Sequence, residues 1–525
     1  MTLPSTLAGE ILRGAAEYDT VPVVVASNVR PHTVTLGCLV EDARRVAGAL
    51  QRMGIGAGDL VAVQLPNWYE GAVAQTAVAL CGAVLLPVVQ IYGPREVDFI
   101  LRQSRAVALV LAAEWRGRPC AQLLDRLGPL PALKSVVVVG EGPAPQGALQ
   151  WHDLEGRLSG PYRPARAQAG DLAMLVYTSG TTAEPKGVQH SHASLLSEIR
   201  SADLIRDAGP DARHLAVFPS GHVAGLLGLL RILVLGTSTV LMDFWDAARA
   251  AELIDRHKVT SSVGAPVHLA ALLDARDRGE ARLDSLREYM VGAAGVPSAL
   301  IERADAAGIA AYRTYGSSEH PTISSGVPSD PLAKRSGTDG RATPGSEIRL
   351  VDDDGRDVPV GGVGEIVTRG PELFLGYRDT ALDADSFLPG RWFRTGDIGR
   401  LDGEGYLTVT DRKKDIIVRG GENISSKEVE DTLATHPRVA EAAAVGAPDE
   451  RYGERVCAFV VMRDGQQGVE LNLEEVSDLF RAAGLARQKT PERLVTVDEL
   501  PRTAAGKVQK FVLRQRLARE AGAAP

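Results

Sequence analysis

The sequence is short of cysteine, of positive charge and of long apolar runs. Its four cysteines in 525 residues, Cys38, Cys81, Cys120 and Cys457, lie far apart, without a Cys-x-x-Cys pair or a histidine at metal-ligand spacing. Each reads as a small apolar residue in a reducing cytosol. Lysine and arginine number 58 against 66 aspartates and glutamates, for a formal charge of −8. No basic stripe suits a nucleic-acid backbone, so no nucleic-acid partner is expected. The most apolar segment, 226–235, is interrupted by Arg231 and is too short to span a bilayer. Residues 1–20 lack a basic start followed by an apolar block, so neither a signal peptide nor an integral membrane segment is expected, and the expected location is cytoplasmic. What is present is 45% apolar and 24% charged, a globular composition, in a chain longer than one core serves.

From residue 60 to 110, apolar runs at 60–65, 83–89 and 106–111 alternate with helical periodicity at 70–81 and 94–103. Such alternation predicts a mostly parallel α/β sheet flanked by helices. After Arg341 the texture changes to short strands with Gly-rich turns, at 348–352, 364–368 and 405–410, which predicts a small antiparallel β unit. Asp411-Arg412-Lys413-Lys414-Asp415 is a dense charge cluster, expected to be solvated and to link domains. Beyond it, Ser425-x-x-Glu428 makes a capping box, strands are expected at 440–445 and 456–462, and an amphipathic helix carries Val476, Leu479 and Phe480. The expected domains are 1–410, a hinge at 411–415, and an α+β domain at 416–525.

Residues 177–189 read Tyr-Thr-Ser-Gly-Thr-Thr-Ala-Glu-Pro-Lys-Gly-Val-Gln and follow an apolar stretch, 172–176, that reads as a strand. Thr178, Ser179, Gly180, Thr181 and Thr182 can turn N–H and hydroxyl groups inward on a polyanion, and Lys186 adds a point charge. An acidic protein repels a nucleotide at long range, so such local compensation is needed. Pro185 before Lys186 and Gly187 after it exclude the Gly-Lys-Ser/Thr of the P-loop NTPases. An ordinary surface loop of turn formers is the alternative.

The loop closely resembles the signature of the adenylate-forming superfamily, which comprises acyl- and aryl-CoA ligases, peptide-synthetase adenylation domains and luciferases. Further matches follow in the family's order from Leu65-Pro66-Asn67 onward: Gly292-Ala293-Ala294-Gly295, Tyr315-Gly316-Ser317-Ser318-Glu319 with Ser318 for the usual threonine, Trp392-Phe393-Arg394-Thr395-Gly396-Asp397, the 411–415 cluster, Gly420-Gly421, and residues 501–510 around Lys507. The resemblance implies ATP, Mg²⁺ and coenzyme A as cofactors. Thr181, Thr182 and Lys186 would grip the departing pyrophosphate, and Glu319 with Thr182 would hold Mg²⁺. Gly292, Ala293 and Ala294 would let adenine and acyl group approach the backbone, with Tyr315, Gly316 and Ser318 beside the base. Asp397 would accept from the ribose hydroxyls, although an aspartate satisfying its own turn is the plain alternative. Arg412 would contact ribose and phosphate, and Lys414 would be the pivot of a mobile C-terminal domain. Gly420 and Gly421 would line the pantetheine tunnel or, alternatively, form a simple turn. Lys507 would reach the attacking carboxylate and the α-phosphate; with Thr182, Glu319 and His222 it completes the expected catalytic set.

Phe218-Pro219-Ser220-Gly221-His222-Val223-Ala224-Gly225 occupies the family's Pro-x-x-His-x-x-Gly position. It lacks the aspartate with which amino-acid-activating relatives hold an ammonium group, so amino acids are disfavoured. Gly221, His222, Val223, Gly225 and Gly316 are the expected acid pocket. Gly221 stands where an aromatic ring is frequent; the missing ring leaves room for a bulky apolar acid, alicyclic, aryl, polycyclic or fatty, unless the glycine serves close backbone approach. The acceptor would be coenzyme A or a phosphopantetheinyl carrier protein. An enzyme running one half-reaction stays open, as does a monomer or homodimer. A non-catalytic nucleotide-binding regulator is the contrasting class, against which the retained Lys186, Glu319, Asp397, Arg412 and Lys507 speak.

Overall fold

The computed structural model describes residues 6–141, 145–156, 158, 160–178, 185–205, 209, 211–419, 422–449, 451–463, 471–503 and 506–522. Ser179, Gly180, Thr181, Thr182, Gly420 and Gly421 therefore lie outside the described residues. The architecture is α/β, with a large N-terminal domain of mostly parallel sheets and a smaller C-terminal domain.

Two sheets dominate the larger domain. In one, the strands Leu172–Thr178, Val84–Pro87, Leu60–Gln64, Ala108–Ala112, Ser135–Val139 and Leu149–Gln150 run parallel in that order, and Lys186–Ser191 turns back antiparallel to Leu172–Thr178. All five residues of Leu60–Gln64 are buried, as a strand covered on both faces requires. In the other, Ala310–Tyr315, Glu288–Val291, Ser261–Gly264, His214–Ala216, Thr239–Met242 and Pro22–Ala26 run parallel. One continuous apolar cluster joins Val23 and Val25 of the second sheet to Val61 and Val63 of the first through helices Leu36–Arg52, Tyr69–Leu80 and Val223–Leu235. The two sheets thus share a helical layer. The expected strand and helix positions between 60 and 110 are met within a few residues; the β-branched strand Pro22–Ala26, not among the expected elements, pairs in parallel with Thr239–Met242.

After Arg341 the expected antiparallel unit is present, with Glu347–Val351, Val363–Arg369, Trp392–Leu401 and Leu407–Arg412 paired in succession. The C-terminal strands Ile417–Arg419, Gly453–Met462 and Val439–Asp449 pack with helices Ser426–Ala434 and Leu473–Ala482 around their own core, which holds Val429, Val456, Val476 and Phe480. Half of the expected capping box forms: Ser425 Oγ accepts from the Glu428 N–H at 3.1 Å, while the Glu428 carboxylate pairs with Lys489. The charge cluster at 411–415 departs in part from the expectation of a solvated linker: Lys413 and Lys414 are exposed, but the rest is not. Arg412 ends a strand, and Asp411 and Asp415 are buried. Internal pairing explains the difference: Ser426 Oγ donates to Asp411 Oδ1 at 3.1 Å, and Arg514 pairs with Asp415.

Candidate active site

A cavity of about 790 Å³ opens between the two sheets and reaches the C-terminal domain. It lies where parallel α/β sheets place their ligands, at the carboxyl ends of strands. Thr178 ends one strand and Lys186, its register partner across the hairpin, begins the next; both line the cavity. The Lys186 ammonium stands 5.3 Å from the centre of the Tyr377 ring. That tyrosine's hydroxyl donates to Glu319 Oε1 at 2.7 Å. Burial and the Glu319 carboxylate push the Tyr377 phenol well up, so it remains a donor. Sequence reasoning missed Tyr377; its signal, a two-residue strand pairing with Lys186–Ser191, exists only in three dimensions.

The turn carrying Glu319 is rigid for visible reasons. A Cβ on Gly316 would fall 1.9 Å from the Pro321 carbonyl oxygen, so glycine is required there. His190 Nε2 meets the Ser318 carbonyl at 2.7 Å, and burial pushes this ring down to about 4, so it is neutral and donates. Phe374 N–H donates to the Glu319 carbonyl at 2.8 Å. Among the described residues, no group of three or more His, Cys, Asp or Glu is placed to hold a metal. A divalent ion beside Glu319 would therefore take most ligands from a nucleotide, which fits Mg²⁺.

Opposite stand Arg412, Lys414 and Lys507, all lining the cavity. Arg412 Nε lies 2.9 Å from Asp397 Oδ1, and Tyr315 Oη donates to Asp397 Oδ2 at 2.7 Å. Asp397 and Tyr315 are not on the cavity wall themselves; they hold Arg412, which is. Burial and the nearby Arg412 lower the Lys507 amine to about 7 and the Lys414 amine to about 8. Burial is the larger cause and Arg412 adds to it; a bound polyanion would favour both charged forms. Of the small turn, Gly292 and Ala293 line the cavity and Ala294 does not. Ala293 is held at φ 67°, in the left-handed region costly for a residue with a Cβ.

The acid pocket needs one correction. His222, Val223 and Gly225 line the cavity, but Gly221 does not. A Cβ there would lie 2.5 Å from the Val88 carbonyl oxygen and 2.8 Å from Val89 Cα, so this glycine serves close backbone approach and opens no space. Gly225 is constrained likewise, by the Pro219 carbonyl oxygen at 2.1 Å. Space comes instead from Gly228, on the cavity wall within helix Val223–Leu235, where an added Cβ meets nothing within 4 Å. His222 caps this helix, its Nδ1 accepting from the Ala224 N–H at 3.4 Å, and burial pushes it down to about 4. It is a neutral wall residue with one nitrogen committed.

Residues 13–378 match the AMP-binding enzyme family, and residues 428–507 match the AMP-binding enzyme C-terminal domain. A medium-chain fatty-acid–CoA ligase of Escherichia coli (strain K12) is 34% identical over 92% of this chain and 86% of its own length. The 3-[(3aS,4S,7aS)-7a-methyl-1,5-dioxo-octahydro-1H-inden-4-yl]propanoyl:CoA ligase of Rhodococcus jostii (strain RHA1) is 33% identical over 98% of this chain and 99% of its own. Among solved structures, the anthranilate CoA ligase AuaEII in complex with anthranoyl-AMP superposes with a TM-score of 0.89 at 27% identity, covering 99% of both chains. The chain belongs to the AMP-binding enzyme family and is an AMP-forming acid–thiol ligase.

Proposed function

We propose that the protein converts a bulky, largely apolar carboxylic acid to its acyl-adenylate and then transfers the acyl group to coenzyme A. One observation carries the reading: the Lys507 amine of the C-terminal domain opens onto the same cavity as Lys186, Glu319 and the apolar wall of helix Val223–Leu235. A carboxylate is a poor electrophile, and attachment of AMP gives it a leaving group. Its oxygen attacks the α-phosphorus in line as pyrophosphate departs, a reaction governed by positioning and charge. Lys507 aligns carboxylate and α-phosphate, and Lys186 with Thr181 and Thr182 holds the departing end. Arg412, held by Asp397 and Tyr315, would contact the ribose and phosphate. Mg²⁺ would neutralise triphosphate charge, with Glu319 and Thr182 as its protein ligands.

In the second step a thiol attacks the acyl carbonyl and AMP leaves. Lys507 has no task there, so the unit 416–525 is proposed to rotate on 1–410 about residues 411–415, withdrawing Lys507 and bringing Gly420 and Gly421 to the site. The curated relatives named above act on CoA, which supports it as the acceptor. The acid's bulk is supported by Gly228 and by the bicyclic acid of the Rhodococcus relative. ATP–pyrophosphate exchange across an acid panel tests this function. Bulky alicyclic, aryl or long-chain acids are expected to support it, and a strict preference for two- or three-carbon acids would refute it. Transfer to a phosphopantetheinyl carrier protein in preference to CoA would correct the acceptor.

A further inference from the structure

The wall of the acid cavity changes character with depth. On the strand side, Phe218, whose ring lies near that of His222, leads back through Ala216 to His214, alternate residues on one face. On the helix side, Val223, Leu227 and Arg231 lie one turn apart and descend about 12 Å at 1.5 Å per residue. Near the reacting end the wall is apolar; at the far end it carries Arg231, His214 and Thr239, the register partner of His214. Glu198, on helix His192–Leu204, joins the same wall. A pocket for a plain hydrocarbon has no use for buried charges, each of which costs several kcal/mol to desolvate.

Glu198 is incompletely satisfied. Arg231 Nη2 lies 3.2 Å from Asp203 Oδ1. Thr322 Oγ1 donates to Glu198 Oε1 at 2.6 Å, but Glu198 Oε2 has no hydrogen-bond partner among the described residues, although the residue is only 3% exposed. A carboxyl oxygen left unpartnered on a residue of a cavity wall is a binding group awaiting its counterpart. Burial and the Glu372 carboxylate push Glu198 up to about 7, against the opposing Thr322 hydroxyl and Arg231 guanidinium, so near neutrality it offers a donor as well as an acceptor. A second carboxylate on the substrate would meet the Glu372 charge that already acts on Glu198, while Arg231 is paired with Asp203, which favours a neutral oxygen.

We infer that the substrate carries a keto or hydroxyl oxygen on its carbon skeleton, remote from the reacting carboxylate, and that Glu198 binds it. This rests on the proposed acid-activating role of the cavity and names its substrate class: an oxygenated alicyclic or polycyclic acid. Glu198 is a specificity residue and takes no part in the transfer of AMP. The test is ATP–pyrophosphate exchange with alicyclic acids in matched triplets of hydrocarbon, ring ketone and ring alcohol, over several chain lengths, with the natural enzyme, Glu198→Gln and Glu198→Leu. At the best chain length an oxygenated member is expected to exceed its hydrocarbon by about tenfold or more in kcat/KM. The ketone and alcohol arms identify which oxygen is read. Glu198→Gln, which keeps a donor and an acceptor, should preserve the preference, and Glu198→Leu should abolish or invert it. The ratio is internal to each variant, so a lower folded fraction does not alter it. Brisk exchange with ratios near one in every triplet would overturn the inference and leave the ligase reading standing. No exchange with any acid would overturn both.

Discussion

At Lys507 the cavity works against the ammonium form until an anion arrives. Burial, Arg412 and Lys414 lower this amine to about 7, and a bound triphosphate supplies the opposing charge. A lysine is charged below its pKa, so the active form of the free enzyme is the acidic one. The kcat/KM for ATP in the exchange reaction is expected to fall as pH rises through about 7, while kcat, which reports the nucleotide-bound enzyme, should hold to higher pH. A kcat/KM profile flat from about pH 6 to 9 would contradict this. Lys507→Gln should slow adenylation by about 10²-fold or more, yet slow thioester formation from supplied acyl-adenylate far less; equal losses would end the two-conformation account. The lysine itself was legible in sequence through its motif. Its lowered pKa was not, because Arg412 and Lys414 reach it only through the packing of two domains.

The helix Val223–Leu235 shows which features sequence could assign at the level of an element. Its motif histidine, His222, and its apolar run were readable; that the histidine caps the helix was not. The source of space was not: Gly221, Gly225 and Gly228 look alike in a sequence, and only their neighbours distinguish a glycine pressed on backbone from one facing a void. Gly228→Leu is expected to raise helix stability by up to about 1 kcal/mol while cutting kcat/KM for bulky acids by about tenfold or more and sparing short ones. A thermal melt with the acid panel reads both effects. Gly221→Ala, by contrast, drives a methyl group into the Val88 carbonyl and should cost roughly 1–3 kcal/mol of stability with no selective loss of bulky acids.

Across the whole molecule, charged contacts fasten the C-terminal helix Lys510–Gly522 to the segment on which the domains are proposed to turn. Lys510 Nζ donates to Ser426 Oγ at 2.6 Å and lies 2.7 Å from Glu430 Oε1, Ser426 Oγ reaches Asp411, and Arg514 holds Asp415. Burial raises the Glu430 carboxyl, with Lys510 opposing. Lys510→Ala should therefore leave a partly buried carboxylate without its counter-ion, held among the described residues only by the Ala444 N–H, and cost about 1–3 kcal/mol in chemical denaturation; an unchanged midpoint would show the contact to be inert. The sequence marked residues 411–415 as a boundary but misjudged Asp411 and Asp415 as solvated, since the residues that contact them, Ser426 and Arg514, belong to elements further along the chain. The central claim is that the acid's own oxygen attacks the α-phosphorus inside this cavity, and ¹⁸O tracing tests it most directly. With an acid labelled in both carboxylate oxygens, ATP and CoA, the account predicts one ¹⁸O in the AMP released and none in pyrophosphate. Label in pyrophosphate or inorganic phosphate, or unlabelled AMP alongside the thioester, would contradict it.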